Sequence, residues 1–263
     1  MPSGALLALT RLKRLNLRGN SVSDLSSPEA LSGLESVQEL TLADNGIEKV
    51  AAIVLANTPN LVVLDLSENE IKTLEQGVFG TLRNLRSLRL HDNALEDING
   101  ILAGQTDLVE LNVSSNHLQW FDYAFIPKNL QVLDISDNRI EELGNYYKLE
   151  GGFQLRTLRA ERNRIKGLRA LSLPSSVERA LLRENRIRLV EPGSFSEKEN
   201  LTLVDLRVNL LRQLELSAVA VKSSAAGSAG KCRGKNKQTK MPPSPSLLSC
   251  SFSAAQGPKF SLA

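Results

Sequence analysis

The chain is poor in the residues that do covalent chemistry. Its 263 residues include two cysteines, Cys232 and Cys250, both near the C-terminus. The stretch before them therefore has no disulfide available, and two cysteines 18 apart do not resemble a metal site, which needs more ligands at tighter spacing. The two histidines, His91 and His117, stand beside no nucleophile in a suggestive arrangement. There is no glycine-rich phosphate loop and no H-E-x-x-H. These absences argue against an enzyme, and neither a metal nor a cofactor is expected. No run of 18 or more apolar residues exists, so no membrane-spanning helix is expected. The opening MPSGALLALTRL has no basic n-region and only about five apolar residues before Arg11, too little for a signal peptide.

Leucine, by contrast, is abundant and periodic. The frame L-x-x-L-x-L-x-x-N recurs nine times, closing on Asn20, Asn45, Asn69, Asn93, Asn116, Asn138, Asn163, Asn185 and Asn209. The gaps between these asparagines run from 22 to 25 residues, inside the range of leucine-rich repeats, roughly 20–29. The expected fold is an α/β leucine-rich-repeat solenoid of about nine repeats, a horseshoe with a concave parallel β-sheet and an irregular convex side.

Leu61, Leu64, Leu66 and Asn69 show the logic of one repeat. Leu64 and Leu66 are two apart and point to one side of a short strand, while Asp65 points to the other. One repeat cannot bury its leucines alone, but stacked repeats share an apolar interior. Beyond the strand the chain must turn, leaving backbone polar groups inside the coil. A carboxamide both donates and accepts, so the nine asparagines read as a structural ladder that satisfies those groups. Phe79 and Phe195 fall where a second apolar column runs on the convex side and read as core. Ala160 and Ala180 replace leucine in the seventh and eighth frames, which predicts thinner packing there.

Composition divides the chain. Residues 1–216 carry the repeats, and residues 217–263 read as a disordered basic tail rich in Ser, Pro and Lys. From Lys222 onward there are seven Lys or Arg and no acidic residue, so the net charge of +3 belongs to the tail and residues 1–221 are net acidic. The tail lacks interleaved aromatics and amphipathic periodicity, so a nucleic-acid partner is not expected.

Function then falls to exposed surface, first of all the concave face. Its outward columns mix charges, and Asp65, Arg89, His91, Asp134, Arg159 and Arg183 are the candidate protein-binding residues. Two N-x-[ST] sequons mark Asn112 and Asn200 as candidate glycosylation sites. A glycan on Asn112 would mask part of the concave face.

Beyond the generic repeat, LQWFDYAFIPKNLQVLDISDNRIEELGNYYKLEGGFQLRTLRAERNRI (118–165) and LPSSVERALLRENRIRLVEPGSFSEKENLTLVDLRVNLLRQLEL (173–216) resemble the repeats of arthropod Toll receptors. The likeness rests on W-F-D-Y at Trp120–Tyr123, L-P-S-S-V at 173–177 and K-E-N-L-T-x-V-D-L at 198–206, and is closest to the long Tollo-like and 18-wheeler-like group. It implies a non-catalytic ligand-recognition segment at the cell surface or outside the cell, in innate immune or developmental signalling. Its implied partner is a cystine-knot cytokine of the Spätzle type or another cell-surface protein. The cysteine-rich caps, membrane span and TIR domain of such receptors find no counterpart here, so a fragment is expected. Uncapped ends would expose Val204, Leu206, Leu210 and Leu211 on one side and Leu6, Leu7 and Leu9 on the other, and self-association through them is expected. The alternative is a free-standing intracellular repeat adaptor or phosphatase-regulatory protein, which the cysteine-free repeats also fit.

Overall fold

A computed structural model describes residues 6–7, 9–144, 152–196 and 198–212, together with the backbone of 259–261. The chain coils into a β-solenoid with almost no helix. Its principal sheet has ten parallel strands: Arg14–Asn16 (β1), Glu39–Thr41 (β3), Val63–Asp65 (β5), Ser87–Arg89 (β6), Glu110–Asn112 (β7), Val132–Asp134 (β8), Thr157–Arg159 (β9), Arg179–Leu181 (β11), Leu203–Asp205 (β13) and Lys259–Ser261 (β14). Asp24–Leu25 (β2) pairs with Lys49–Val50 (β4), and Gly167–Leu168 (β10) with Leu189–Val190 (β12), as two short ladders along a lateral edge. Helix is confined to one turn, Ala52–Leu55 (α1), and a 3-10 turn at Tyr123–Phe125.

The register follows the frame. Leu40, Leu64, Leu88, Leu111, Leu133, Leu158, Ala180 and Val204 stand opposite one another in successive strands, and all are buried. Each fully buried leucine is worth roughly 1.5–3 kcal/mol, so the stacked column is a main source of cohesion. Phe79 and Phe195 are fully buried behind the sheet, and Ala160 and Ala180 are fully buried within their frames.

The asparagines form a cross-turn ladder. The Asn116 Nδ2 donates to the carbonyls of Val113 and Ser114 in its own turn and of Leu90 in the turn before. Its Oδ1 accepts from the Leu95 N–H. Asn45, Asn69, Asn93, Asn138, Asn163, Asn185 and Asn209 repeat the pattern, each accepting from Val22, Ile47, Ile71, Leu118, Ile140, Ile165 and Ile187 respectively. Among the described residues Asn20 donates within its own turn, to Leu17 and Arg18. The residue before each asparagine adopts the left-handed conformation: Gly19 at φ 70°, then Asp44, Glu68, Asp92, Ser115, Asp137, Arg162, Glu184 and Val208 at φ 50° to 57°. A sharp turn into the coil requires it, and the carboxamide bonds hold it there.

The expectation of water-facing apolar groups is corrected in part. Val204 and Leu206 are buried, at 0% and 3% exposure, because they point into the shared core. The backbone of β14 also lies in register beside β13, with Val204 opposite Phe260. Leu210 on that side, and Leu7 and Leu9 on the other, are exposed as expected. Leu6 and Leu211 are half-buried against the core. Apart from Lys259–Ser261, the proposed 217–263 tail lies outside the described residues.

Candidate protein-binding face

The concave face is set by the strand period. With the central residue of each strand buried, the flanking positions point outward, and the last position of successive strands forms a column in register. Along it run Asp65, Arg89, Asn112, Asp134 and Arg159, on five consecutive strands. The structure pairs these charges with one another: Arg89 lies 3.4 Å from Asp65, and Arg159 lies 3.7 Å from Asp134. Both arginines are about half exposed, whereas the carboxylates lie largely beneath them. Asn112 stands between the two pairs, half-buried.

A second feature was not anticipated from the sequence. The acidic and amide side chains ending these strands close the following turn. Asp65 Oδ1 accepts from the Ser67 N–H at 3.1 Å and the Ser67 hydroxyl at 2.6 Å. Asn16, Asn112, Asp134 and Asp205 likewise accept from the N–H two residues on, at Arg18, Ser114, Ser136 and Arg207. These are Asx turns, which preset the backbone before the left-handed residue. The signal was present as an Asp or Asn two places before Ser or Arg at strand ends. Asp65 and Asp134 are thus architectural, and Asp65 is itself buried.

The other candidates stand apart. Arg183 is exposed and pairs with Glu184 at 2.9 Å. His91 is half-buried, and its Nδ1 is buried without a hydrogen-bond partner among the described residues. Asn200 is exposed in the loop entering β13. At the rim, Arg18 reaches across β3 to grip both carboxylate oxygens of Glu68, which raises the Arg18 pKa. Arg207 donates to both oxygens of Asp205, and chiefly this bond holds the Asp205 carboxyl below the usual range. On the convex side Lys198 is buried, at 3% exposure, with its Nζ donating to the Ala170 and Ser196 carbonyls. Nothing in its surrounding sequence marked it as a core residue. Among the described residues no group of His, Cys, Asp and Glu is arranged to hold a metal ion. No described helix is long and apolar enough to cross a membrane.

Comparison with known proteins agrees with this geometry. Leucine-rich-repeat family profiles match residues 59–118 and 129–146. Over 129 residues, 49% of its length, the chain is 48% identical to Toll-like receptor 7 of Drosophila melanogaster, of which it spans 9%. It is 30% identical over 144 residues to osteomodulin of Bos taurus, of which it spans 33%. Among solved structures, the leucine-rich-repeat domain of APL1B superposes with a TM-score of 0.66 at 25% identity, covering 81% of this chain and 62% of that one. A chain of the Drosophila Toll–Spätzle complex superposes with a TM-score of 0.64 at 24% identity, covering 80% and 31%, a likeness of fold. Repeat frame, cross-turn asparagine ladder and receptor likeness together identify the chain as a leucine-rich-repeat protein related to the arthropod Toll-like receptors.

Proposed function

We propose that this chain is a non-catalytic recognition segment of a Toll-like receptor ectodomain that binds a protein ligand on its concave face. The observation that carries the reading is the in-register line Asp65–Arg89–Asn112–Asp134–Arg159, four charged side chains and one amide on a parallel sheet that core packing does not dictate. Arg89 and Arg159, each about half exposed beside a carboxylate one strand away, present their guanidinium groups to a ligand. By the sequence resemblance to Toll receptors, the partner in this reading is a cystine-knot cytokine of the Spätzle type or another cell-surface protein, and the setting is the cell surface or outside the cell. Residues 1–216 are the binding domain in this reading and 217–263 a basic extension. Asn200 is the more accessible glycan acceptor, because Asn112 is half-buried in the middle of the binding line.

The test is binding of the purified chain to a panel of Spätzle-type cytokines by surface plasmon resonance, with Arg89→Glu and Arg159→Glu as variants. Reversing a charge at the centre of a contact weakens binding by about 1.4 kcal/mol or more, tenfold in Kd. Binding unaltered by either variant would move recognition off the concave face. An unglycosylated chain retained in the cytosol of its native cell would support an intracellular adaptor instead.

A further inference from the structure

The lateral edge just beyond the asparagine ladder carries a strip of cations that the concave-face reading does not use. The residue following the frame asparagine is Arg139, Arg164 and Arg186 in three successive turns. Their backbones are stacked: the Arg164 N–H donates to the Ile140 carbonyl and the Arg186 N–H to the Ile165 carbonyl. At the third place after the frame asparagine, Lys166, Arg188 and Arg212 form a second row, set one turn later than the first because Glu141 holds that place two residues beyond Arg139, with the Arg188 N–H on the Lys166 carbonyl. All six side chains are exposed. Lys166 is held by Glu141, while the five arginines make no ion pair among the described residues. Arg89, Arg159, Arg183 and Arg207 on the concave face, by contrast, are each matched with a carboxylate one strand away or beside them.

We propose that this strip binds a sulfated polysaccharide. Adjacent turns of a parallel sheet are about 4.8 Å apart, so the rows present guanidinium groups at short regular intervals, a linear array suited to a linear polyanion. Guanidinium donors engage the oxygens of sulfate in pairs, and unpaired exposed arginines forfeit no existing bridge when they do so. The field is collective: the Glu141 carboxyl is held low first by Lys166 and further by Arg164 and Arg186. The strip has a direction, because the equivalent positions of earlier turns carry Glu48, Glu70, Glu96 and Glu141 against a single lysine, Lys72, and no arginine. A polyanion is thereby confined to the later turns. Nucleic acid is the poorer fit, since no aromatic residue between 154 and 194 offers a ring on which a base would stack. The site lies at the edge of the sheet, so polysaccharide and concave-face ligand can be held together, and loss of one leaves the other.

The test is binding of the full-length chain to a fluorescent heparin oligosaccharide over a salt series, with Arg164→Glu/Arg186→Glu as the strip variant. A control variant, Lys235→Ser/Lys237→Ser/Lys240→Ser, removes charge from the basic C-terminal segment. The strip variant is expected to lose affinity by about tenfold or more and to show a shallower salt dependence, with the control variant unchanged. Arg164→Gln/Arg186→Gln carries the same expectation should charge reversal disturb folding. The proposal is overturned if only the control variant loses binding, or if desulfated heparin binds as well as heparin. Preference for a duplex RNA of matching length would assign the strip to nucleic acid. Self-association that the strip variant abolishes would assign it to a second copy of this chain. Retained cytokine binding in the strip variant separates this site from the concave face.

Discussion

The Tyr123 hydroxyl donates a 2.9 Å hydrogen bond to the carbonyl of Ser172, 49 residues further along the chain. The ring is fully buried, with Phe121 and Phe153 packed edge-on at 5.0 and 6.0 Å. One side chain thus ties the convex loop of one turn to a loop two turns on, where the chain has little regular structure to hold it. Tyr123→Phe keeps the ring but leaves a buried carbonyl short of a donor, and is expected to cost about 1–3 kcal/mol. Urea denaturation of the two proteins checks this. Identical midpoints would mean that water replaces the phenol.

The asparagine ladder predicts a difference between its ends and its middle. Asn116→Ala removes three donated bonds and one accepted bond from a buried site, at a cost of roughly 1–3 kcal/mol for each group left unsatisfied. Asn20 is exposed and, among the described residues, makes no bond to a neighbouring turn, so Asn20→Ala stays within about 1 kcal/mol. Equal shifts in thermal unfolding for the two variants would show that cross-turn bonding is not what the asparagines contribute.

Val208 occupies the left-handed position of its turn at φ 55°, where the other turns place Gly, Asp, Glu, Ser or Arg. A β-branched side chain is strained there by about 1–2 kcal/mol. Val208 is also 57% exposed, so little packing is lost on replacing it. Val208→Asn is expected to raise stability by roughly 1 kcal/mol. A lower denaturation midpoint for this variant would mean that Val208 packs against a group it is not seen to touch.

The Asp205–Arg207 pair sets a pH dependence. The folded-state carboxyl pKa lies below its unfolded value, chiefly through the Arg207 hydrogen bond. The stabilisation is therefore fully present above the unfolded carboxylate pKa, near 3.9, and is lost as pH falls through the folded value. Asp205→Asn is expected to lower stability at neutral pH and to flatten the acid limb between pH 5 and lower values. Parallel stability–pH curves for the two proteins would exclude Asp205 as a contributor.

The inward half of this molecule was legible in the residues. A period of two within strands and a closing asparagine every 22 to 25 residues settle which side chains are buried, because only one stacking of such frames hides the leucines. The outward half was less legible. The residues name Asp65 and Asp134 as candidate binding groups but do not show that each also closes a turn and pairs with an arginine one strand on. Val204 and Leu206 were read as exposed, yet both lie within the shared core.

The reason is a difference in range. Burial of the frame leucines follows from local spacing, so the sequence alone determined the solenoid, its concave sheet and its asparagine ladder. Whether an outward charge is already neutralised depends on a residue a full turn away and on the rotamer that joins them. Only the stacked tertiary structure brings Arg89 to Asp65 and Arg159 to Asp134 while leaving Arg139, Arg164 and Arg186 exposed in a row without a described ion-pair partner.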